Sequence, residues 1–380
     1  MLQTLKNAFK IPELRSKLVF TMVIVLIYRL GAVIPVPFIN STMMASLMAA
    51  SEGSIFQYLN LLSGDAFSKA TLFALSVSPY ITASIVMQLL TVAIPALERL
   101  SKEGDEGRKK ITTYTRYLTV VLGLITSYGY YMVIKNLHNQ NNGGVLTRMG
   151  LKPFGMIVII ACYCAGTALV MWLAEKINEN GIGNGISIIL FANIVSSLPV
   201  MIGSLGYRFV GGIKSLFKTE WVGLLDILFV LLSIVITVAI VFLVVFVTQS
   251  ERKIPIQYAK RVVGRKMYGG QNTTLPIKLN MTGVMPIIFA NSIVSLPATI
   301  IAFFNIKKGG IWDRIARTLS PSSWVYAVVL FMLIIGFSYF YITISFNPIE
   351  VSNNLKKNGG FIPGIRPGKP TSDYISKILS

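Results

Sequence analysis

The sequence is poor in the side chains that most enzymes use for catalysis and metal binding. Among 380 residues it has one histidine, two cysteines and only 15 residues of Asp or Glu. A zinc cage needs several His, Cys or carboxylate ligands, and a serine-hydrolase relay needs a histidine beside its nucleophile. His138 stands alone in a polar run, and Cys162 and Cys164 lie two residues apart, on different faces of a helix. The sequence therefore predicts no enzyme, no metal or other cofactor, and no disulfide.

A nucleotide site is also not expected. The glycine-rich run GIGNGIS at 181–187 has no Lys-Ser/Thr after its glycines and no strand before them, both of which a phosphate-binding loop requires. We interpret this run as a tight turn in which the backbone approaches another part of the molecule closely.

Charge is scarce as well, at 13% of residues, whereas 53% are hydrophobic. Apolar runs of about 18 or more residues can cross roughly 30 Å of hydrocarbon. Eight such runs lie at 18–38, 75–97, 114–134, 154–174, 186–205, 222–248, 282–304 and 323–346. The sequence therefore predicts an all-α polytopic membrane protein with eight transmembrane helices.

The basic residues indicate how these spans are oriented. The net charge is +20. If the chain crosses the membrane at each of the eight spans, 23 of the 35 Lys and Arg residues lie on the same side as the N-terminus. Because cytosolic loops carry the excess of positive charge, the N-terminus and the C-terminus are both predicted to be cytosolic. Attraction to lipid headgroups explains part of this charge but not the length of the loops at 98–116 and 249–279.

Polar residues within the apolar runs leave two interpretations open. The second run carries six of them, which are Ser76, Ser78, Thr82, Ser84, Gln88 and Thr91. Such side chains need hydrogen-bond partners inside a bilayer, so this helix either packs against other helices or lines a path. Arg29 lies within the first run, and pairing inside the protein is favoured for it because a lone charge there is costly.

Two segments outside the spans have unusual patterns. Residues 55–72 are too short to cross the membrane and too apolar for water, which indicates either a half-inserted helix or an outer-surface helix. In the loop 249–280, apolar Ile254, Ile256 and Tyr258 alternate with polar residues before a basic cluster, which predicts a projecting hairpin or helix. That loop is either a docking site for a soluble partner or ribosomal RNA, or a solvated basic loop.

Five stretches resemble the SecY family, the channel subunits of the bacterial preprotein translocon. The resemblance extends from residue 6 to the last residue, and the five motifs occur in the family's order. They are PYITASIVMQLL (79–90), IPALERLSKEGDEGRKKITTYTRY (94–117), GIGNGISIILFANIV (181–195), YAKRVVGRKMYGGQNTTLPIKLNMTGVMPIIFANSI (258–293) and FIPGIRPGKPT (361–371).

The resemblance implies two halves of inverted topology around an hourglass pore. The halves here would be residues 1–205, with five spans and a plug near 55–72, and residues 206–380. An apolar ring at the waist would resist ions by dewetting and still yield to a polypeptide. By motif position the ring would comprise Ile81, Ile85, Ile186, Leu190 and Met285.

Other functional residues follow from the same resemblance. The plug would include Gly64, Asp65, Ala66, Phe67 and Ser68. Gln88 and Asn291 would contribute polar contacts to a lateral gate through which transmembrane segments reach the lipid. Cytosolic docking would involve Lys260, Arg261, Arg265, Lys266 and Arg366.

The expected function is translocation of unfolded preproteins across the membrane and release of transmembrane segments into it. The resemblance implies a SecA motor or a ribosome as the source of energy, small membrane subunits like SecE and SecG, and preproteins with signal sequences as substrates. The protein is expected to reside in a bacterial plasma membrane.

The family has ten spans, and the run TSDYISKILS at 371–380 falls where the ninth would begin. We therefore expect a fragment that lacks the last two spans, with a shortened or non-conducting relative as an alternative. A secondary transporter is a further alternative, but such proteins usually place Asp, Glu or His at mid-membrane.

Overall fold

The computed structural model describes residues 9–49, 60, 63–140, 143–216, 221–258, 261–263, 266–268, 272–304, 318 and 323–379. Helices account for most of them, and two small sheets account for the rest of the regular structure. Contacts within the chain divide it into two compact units. The first unit is Met1–Ser204 with Ser292–Ala327, and the second is Leu205–Asn291 with Val328–Ser380. The division of the chain into an N-terminal and a C-terminal half stays a prediction.

The described helices differ widely in length, from 8 to 36 residues. They are α1 (Pro12–Gly31), α2 (Ser41–Ala49), α3 (Ser78–Ala93), α4 (Pro95–Lys102), α5 (Asp105–Gln140), α6 (Pro153–Asn180), α7 (Gly185–Leu216), α8 (Trp221–Gln249), α9 (Met285–Phe304), α10 (Trp324–Ser345), α11 (Pro348–Lys357) and α12 (Lys369–Leu379). Proline stands at the start of α1, α4 and α6, where its missing N–H costs nothing.

Five of the predicted spans coincide with helices that are long and apolar enough to cross a membrane. These are the runs predicted at 114–134, 154–174, 186–205, 222–248 and 323–346, which lie in α5, α6, α7, α8 and α10. Within the described residues α3 and α4 form one bent pair that could count as a sixth span. The structure therefore supports a polytopic membrane protein, while the count of eight spans stays a prediction.

The second predicted span, 75–97, corresponds to the bent pair α3 and α4 rather than to one continuous helix. α3 begins only at Ser78, and the chain bends by 106° between α3 and α4. Ile94 at the bend is extended, with φ −109° and ψ 113°. A residue before proline is pushed out of the helical region, and Pro95 cannot donate the hydrogen bond that would continue the helix.

The predicted plug, 55–72, is helical only near its start within the described residues. Asn60 and Ser63 are helical, residues 64–77 form consecutive turns interrupted by a bridge at Thr71, and 55–59, 61 and 62 lie outside the described residues. Four residues of this segment have positive φ, namely Gly64 (61°), Asp65 (69°), Ala70 (50°) and Ser76 (51°). A left-handed residue interrupts the α-helical hydrogen-bond pattern, so the segment reverses repeatedly. We call residues 63–77 the turn segment.

Two apolar clusters hold the first unit together. The first surrounds Tyr28 and Phe73, whose rings stack at 5.3 Å, and includes residues of α1, α3, α6 and α7. The second surrounds Phe67, Tyr130 and Tyr163 and joins the turn segment to α2, α5 and α6. The turn segment contributes residues to both clusters, so it lies inside the unit.

The loops at 249–280 and 347–380 fold together in the second unit. Strand β1 (Glu251–Tyr258) pairs with β4 (Asn272–Lys278), and β2 (Arg261–Val263) pairs with β3 (Lys266–Tyr268) as a hairpin. β5 (Gly360–Phe361) pairs with the end of β1. Ile254, Ile277 and Ile362 form a buried cluster between them, against which α12 packs Tyr374 and Ile378. The sequence predicted a projecting hairpin or helix in the first loop, and the structure has the hairpin.

Candidate functional site

The turn segment is anchored at one end by the stretch that follows α1. The backbone N–H of Leu72 donates to the carbonyl of Ile34 at 2.9 Å, and that of Val36 donates to the carbonyl of Ala70 at 3.4 Å. These bonds form a short antiparallel bridge between Pro35 and Thr71. The end of the turn segment near residue 71 is therefore fixed through its backbone.

Two buried tyrosines hold the middle of the turn segment. Tyr130 on α5 donates its hydroxyl to the carbonyl of Phe67 at 2.5 Å, and Tyr163 on α6 donates to the carbonyl of Ala70 at 3.3 Å. The Phe67 and Tyr130 ring centroids are 4.6 Å apart. Carbonyls in turns that are buried among apolar side chains need donors from elsewhere, and the tyrosines supply them.

A cluster of hydrogen bonds from polar side chains holds the other end of the turn segment. Asn60 donates its amide to the Asp65 carboxylate at 2.9 Å and accepts from the Ser68 backbone at 3.0 Å. The hydroxyl of Ser63 accepts from the backbone N–H of Phe67 at 3.0 Å. Of the five predicted plug residues, Ala66 and Phe67 are buried, and Gly64, Asp65 and Ser68 are half-buried.

Arg29 is paired inside the protein, which is the interpretation that the sequence favours. Its guanidinium donates to the carbonyl of Ala192 on α7. It also lies beside Gly64, because a Cβ added to that glycine would come within 2.9 Å of a guanidinium nitrogen. Gly64 therefore provides room for the arginine as well as a positive φ.

The predicted ring residues on α3 and α7 lie in the first unit. Ile81 and Ile186 are half-buried and pack against the cluster around Tyr28 and Phe73. Ile85 is buried, and Leu190 is half-buried. Spacing by four residues places each pair on one side of its helix. Met285 is half-buried at the start of α9, in the second unit.

The remaining predicted sites are only partly described. Gln88 is half-buried near the end of α3, and Asn291 is half-buried in the first half of α9. Arg366 is exposed between β5 and α12, and Arg261 and Lys266 belong to the β2–β3 hairpin. Lys260 and Arg265 lie outside the described residues. Within the residues that the structure describes, no group of three or more His, Cys, Asp or Glu could hold a metal ion.

The sequence did not indicate Tyr130 and Tyr163 as anchors of the turn segment. Both are buried aromatic residues in apolar helices, and a tyrosine there in place of phenylalanine implies a partner for its hydroxyl. That signal points to a hydrogen bond but does not identify the carbonyls, which lie 63 and 93 residues away in sequence.

Comparison with known proteins places this chain in a family. The SecY family model matches residues 71–380. The protein translocase subunit SecY of Streptomyces coelicolor is 42% identical over 390 residues, covering 100% of this chain and 85% of that protein. The corresponding subunit of Corynebacterium glutamicum is 41% identical over 383 residues, covering 98% of this chain and 83% of its own length.

Solved structures have the same fold at low sequence identity. A protein-conducting channel aligns with a TM-score of 0.62 and 16% identity, covering 98% of this chain and 85% of its own. Sec61 from a canine ribosome-channel complex of the endoplasmic reticulum aligns with a TM-score of 0.59 and 16% identity, covering 98% and 86%. These findings favour a channel over a secondary transporter. The chain is a multi-pass membrane protein that belongs to the SecY family of protein translocase channel subunits.

Proposed function

We propose that α3 and α7 line the waist of a polypeptide-conducting path and that the turn segment is the plug that closes this path at rest. The observation that carries the proposal is the burial of non-helical backbone within a unit of apolar helices. Irregular backbone at membrane depth is tolerated only where protein buries it or where it lines a water-filled cavity. The turn segment leads directly into α3, which bears Ile81 and Ile85.

The waist would be a ring of apolar side chains. Ile81 and Ile85 would belong to it on α3, and Ile186 and Leu190 on α7. Met285 is assigned to the same ring by its position in the SecY motif, and its flexible side chain suits a seal that must adapt to different peptides. An apolar constriction excludes ions by dewetting, so it can remain tight without a charged barrier.

Release of transmembrane segments into the lipid requires a lateral opening. We assign polar contacts of this gate to Gln88 and Asn291, each half-buried in its own unit. A polar group in an otherwise apolar helix favours protein contact over lipid, so its pairing resists premature opening.

The folded cytosolic loops would receive the partner that drives transport. Arg366 is exposed beside β5, and the β2–β3 hairpin carries Arg261 and Lys266 in its sequence. Basic residues there suit the phosphates of ribosomal RNA or the acidic surface of a motor protein such as SecA. The Sec61 relative in a ribosome-channel complex supports the ribosome as one such partner. We further propose that the chain lies in a plasma membrane with its N-terminus in the cytosol and assembles with small subunits like SecE and SecG.

The proposal is tested by crosslinking a passing chain to the waist. Cys162 and Cys164 are replaced by serine, a single cysteine is placed at Ile85, and the channel is given stalled nascent chains with an active or an inactivated signal sequence. A crosslink that requires the active signal is expected. The matched control has its single cysteine at Leu243, which is exposed on α8.

Equal crosslinking at the two positions would contradict the assignment. So would a crosslink at Ile85 that forms equally with the active and the inactivated signal sequence. The two positions differ clearly, because Ile85 is buried within the first unit, whereas Leu243 is exposed in the second unit on the most apolar of the described spans.

A further inference from the structure

Three buried polar side chains from distant parts of the sequence meet in the first unit. Asn193 donates its side-chain amide to the hydroxyl of Tyr28 at 2.9 Å and to that of Ser76 at 3.1 Å. The two hydroxyl oxygens are 3.4 Å apart. Tyr28 and Asn193 are 0% exposed and Ser76 is 4% exposed, so water does not compete for these bonds. We call these three residues the polar triad.

The triad joins α1 to two elements of the proposed function, the waist helix α7 and the turn segment. Tyr28 belongs to α1, Asn193 belongs to α7, and Ser76 stands in the last turn of the turn segment before α3. Ser76 has a φ of 51°, so the position of its hydroxyl depends on a left-handed backbone turn. Both hydrogens of one amide nitrogen are thus used to tie α7 to the other two elements.

A second contact between α1 and α7 lies next to the polar triad. Arg29, adjacent to Tyr28, donates to the carbonyl of Ala192, adjacent to Asn193, and the guanidinium also lies beside Gly64. α1 therefore holds α7 through two neighbouring contacts, and both contacts reach the turn segment, one at each end of it.

Hydrogen bonds of this kind give two discrete states rather than a gradual change. They are short-ranged and directional. If the amide moves away from its partners and no water replaces them, its N–H groups stay unsatisfied at the full free-energy cost of desolvation. A small displacement of α7 would break both bonds of the amide together. Leu190, assigned to the ring, is one helical turn from Asn193, so a peptide that pushes Leu190 aside also displaces the amide.

We propose that the polar triad is a latch that holds the turn segment closed until displacement of α7 releases it. Asn193 is then a positioning residue that couples the occupied waist to the plug. This inference rests on the proposed assignments of the plug and of the waist.

The test is ion leak through the resting channel. The full chain, purified with its membrane partners, is reconstituted into liposomes without substrate, and ion flux is compared for wild type and Asn193→Leu. Loss of two buried bonds is expected to raise the leak by roughly thirtyfold, because each typical net hydrogen bond corresponds to about a fivefold change in the closed-to-open equilibrium. Ser197→Ala is the matched control, because that hydroxyl bonds only to the carbonyl of Ile194 on its own helix in the described contacts. The control is expected to leak as wild type does.

A double-mutant cycle separates a latch from a general loss of packing. Ser76→Ala alone should also raise the leak, and adding it to Asn193→Leu should raise it by less than the product of the single effects, since both remove the same bond. Thermal unfolding of each variant is measured in parallel. A lower melting temperature with unchanged leak, or leaks that multiply independently, would overturn the latch.

Failure of the latch can be told from failure of the plug assignment. A variant that lacks residues 64–68 removes the proposed plug itself. If this deletion leaks and Asn193→Leu does not, the plug assignment stands and the latch is rejected. If neither leaks while both variants still bind their membrane partners and unfold cooperatively, the plug assignment is rejected and the latch with it.

Discussion

Helices α6 and α8 have nearly equal lengths, at 28 and 29 residues, yet they meet different surroundings. Of the most apolar 18-residue stretch in each helix, 39% is buried inside the protein in α6 and only 6% in α8. α6 buries Tyr163, Gly166 and Glu175, whereas α8 is a run of Val, Leu, Ile and Phe. Small and polar residues in an apolar helix therefore mark the side that contacts protein.

The difference bears on function because α6 supports the turn segment. Its Tyr163 holds one turn by a hydrogen bond, and its Gly166 lets the backbone of Leu72 approach. α8 has the composition of a helix that faces lipid. We therefore expect residues of the buried kind to be more sensitive to substitution than residues of the exposed kind.

The largest effect is expected for Gly166→Ala. The new Cβ would lie 2.1 Å from the carbonyl oxygen of Leu72, so the turn segment or α6 must shift. We expect a loss of about 2–4 kcal/mol in stability, in the range of severe overpacking. Gly203→Ala on α7 is the control, because nothing lies within 4 Å of its Cβ. Thermal unfolding of both in detergent checks this, and equal melting temperatures would refute the close approach.

The ion pair between α5 and α6 comes next. Glu175, which is buried, accepts from the guanidinium of Arg116 through both oxygens, at 2.9 and 2.8 Å. Glu175→Ala should destabilise by about 2 kcal/mol, because it leaves the arginine without its partner at a protein contact. Glu179→Ala removes an exposed pair with Lys176 and should leave stability unchanged. Urea unfolding distinguishes the two, and a larger effect at Glu179 would reverse the comparison.

A single hydroxyl gives a smaller effect. Tyr163→Phe removes the bond to the carbonyl of Ala70 and should cost about 1 kcal/mol. Tyr207→Phe serves as control, since that side chain is 83% exposed. Hydrogen exchange at the turn segment should rise for Tyr163→Phe and not for Tyr207→Phe. Exchange that rises in neither variant would mean that the hydroxyl does not hold the segment.

The smallest effect is expected on α8. Leu243→Val changes a side chain that is 62% exposed in the structure, so the change removes little packing within the chain. Stability should stay within about 0.5 kcal/mol of wild type. A clear drop in melting temperature would show that this face of α8 is covered by protein.

The sequence predicted the features that depend on local pattern. Five of its apolar runs coincide with helices, because length and hydrophobicity alone decide them. It also favoured an internal partner for Arg29, since a charge at that depth requires one. Alternation of apolar and polar residues in the loop at 249–280 predicted a hairpin or a helix, and the structure has paired strands there.

Features that depend on distant contacts were not predictable in the same way. The polar triad joins residues separated by 48, 117 and 165 positions, and no local pattern specifies such pairings. β5 has two residues, too few for a period-2 pattern, and its pairing partner lies about a hundred residues earlier. The turn segment was expected to be helical because its composition is apolar, but tertiary hydrogen bonds stabilise its left-handed residues instead.

The most direct test of the account asks whether the turn segment must leave its seat for transport. Cys162 and Cys164 are replaced by serine, and cysteines are placed at Phe67 and Tyr130, whose rings are 4.6 Å apart. A short bismaleimide crosslinker with a cleavable disulfide joins them, and preprotein transport into proteoliposomes is measured before and after reduction. We expect crosslinking to block transport and reduction to restore it, whereas adding the crosslinker should not change the transport measured for either single-cysteine variant. Full transport through a completely crosslinked channel would contradict this account.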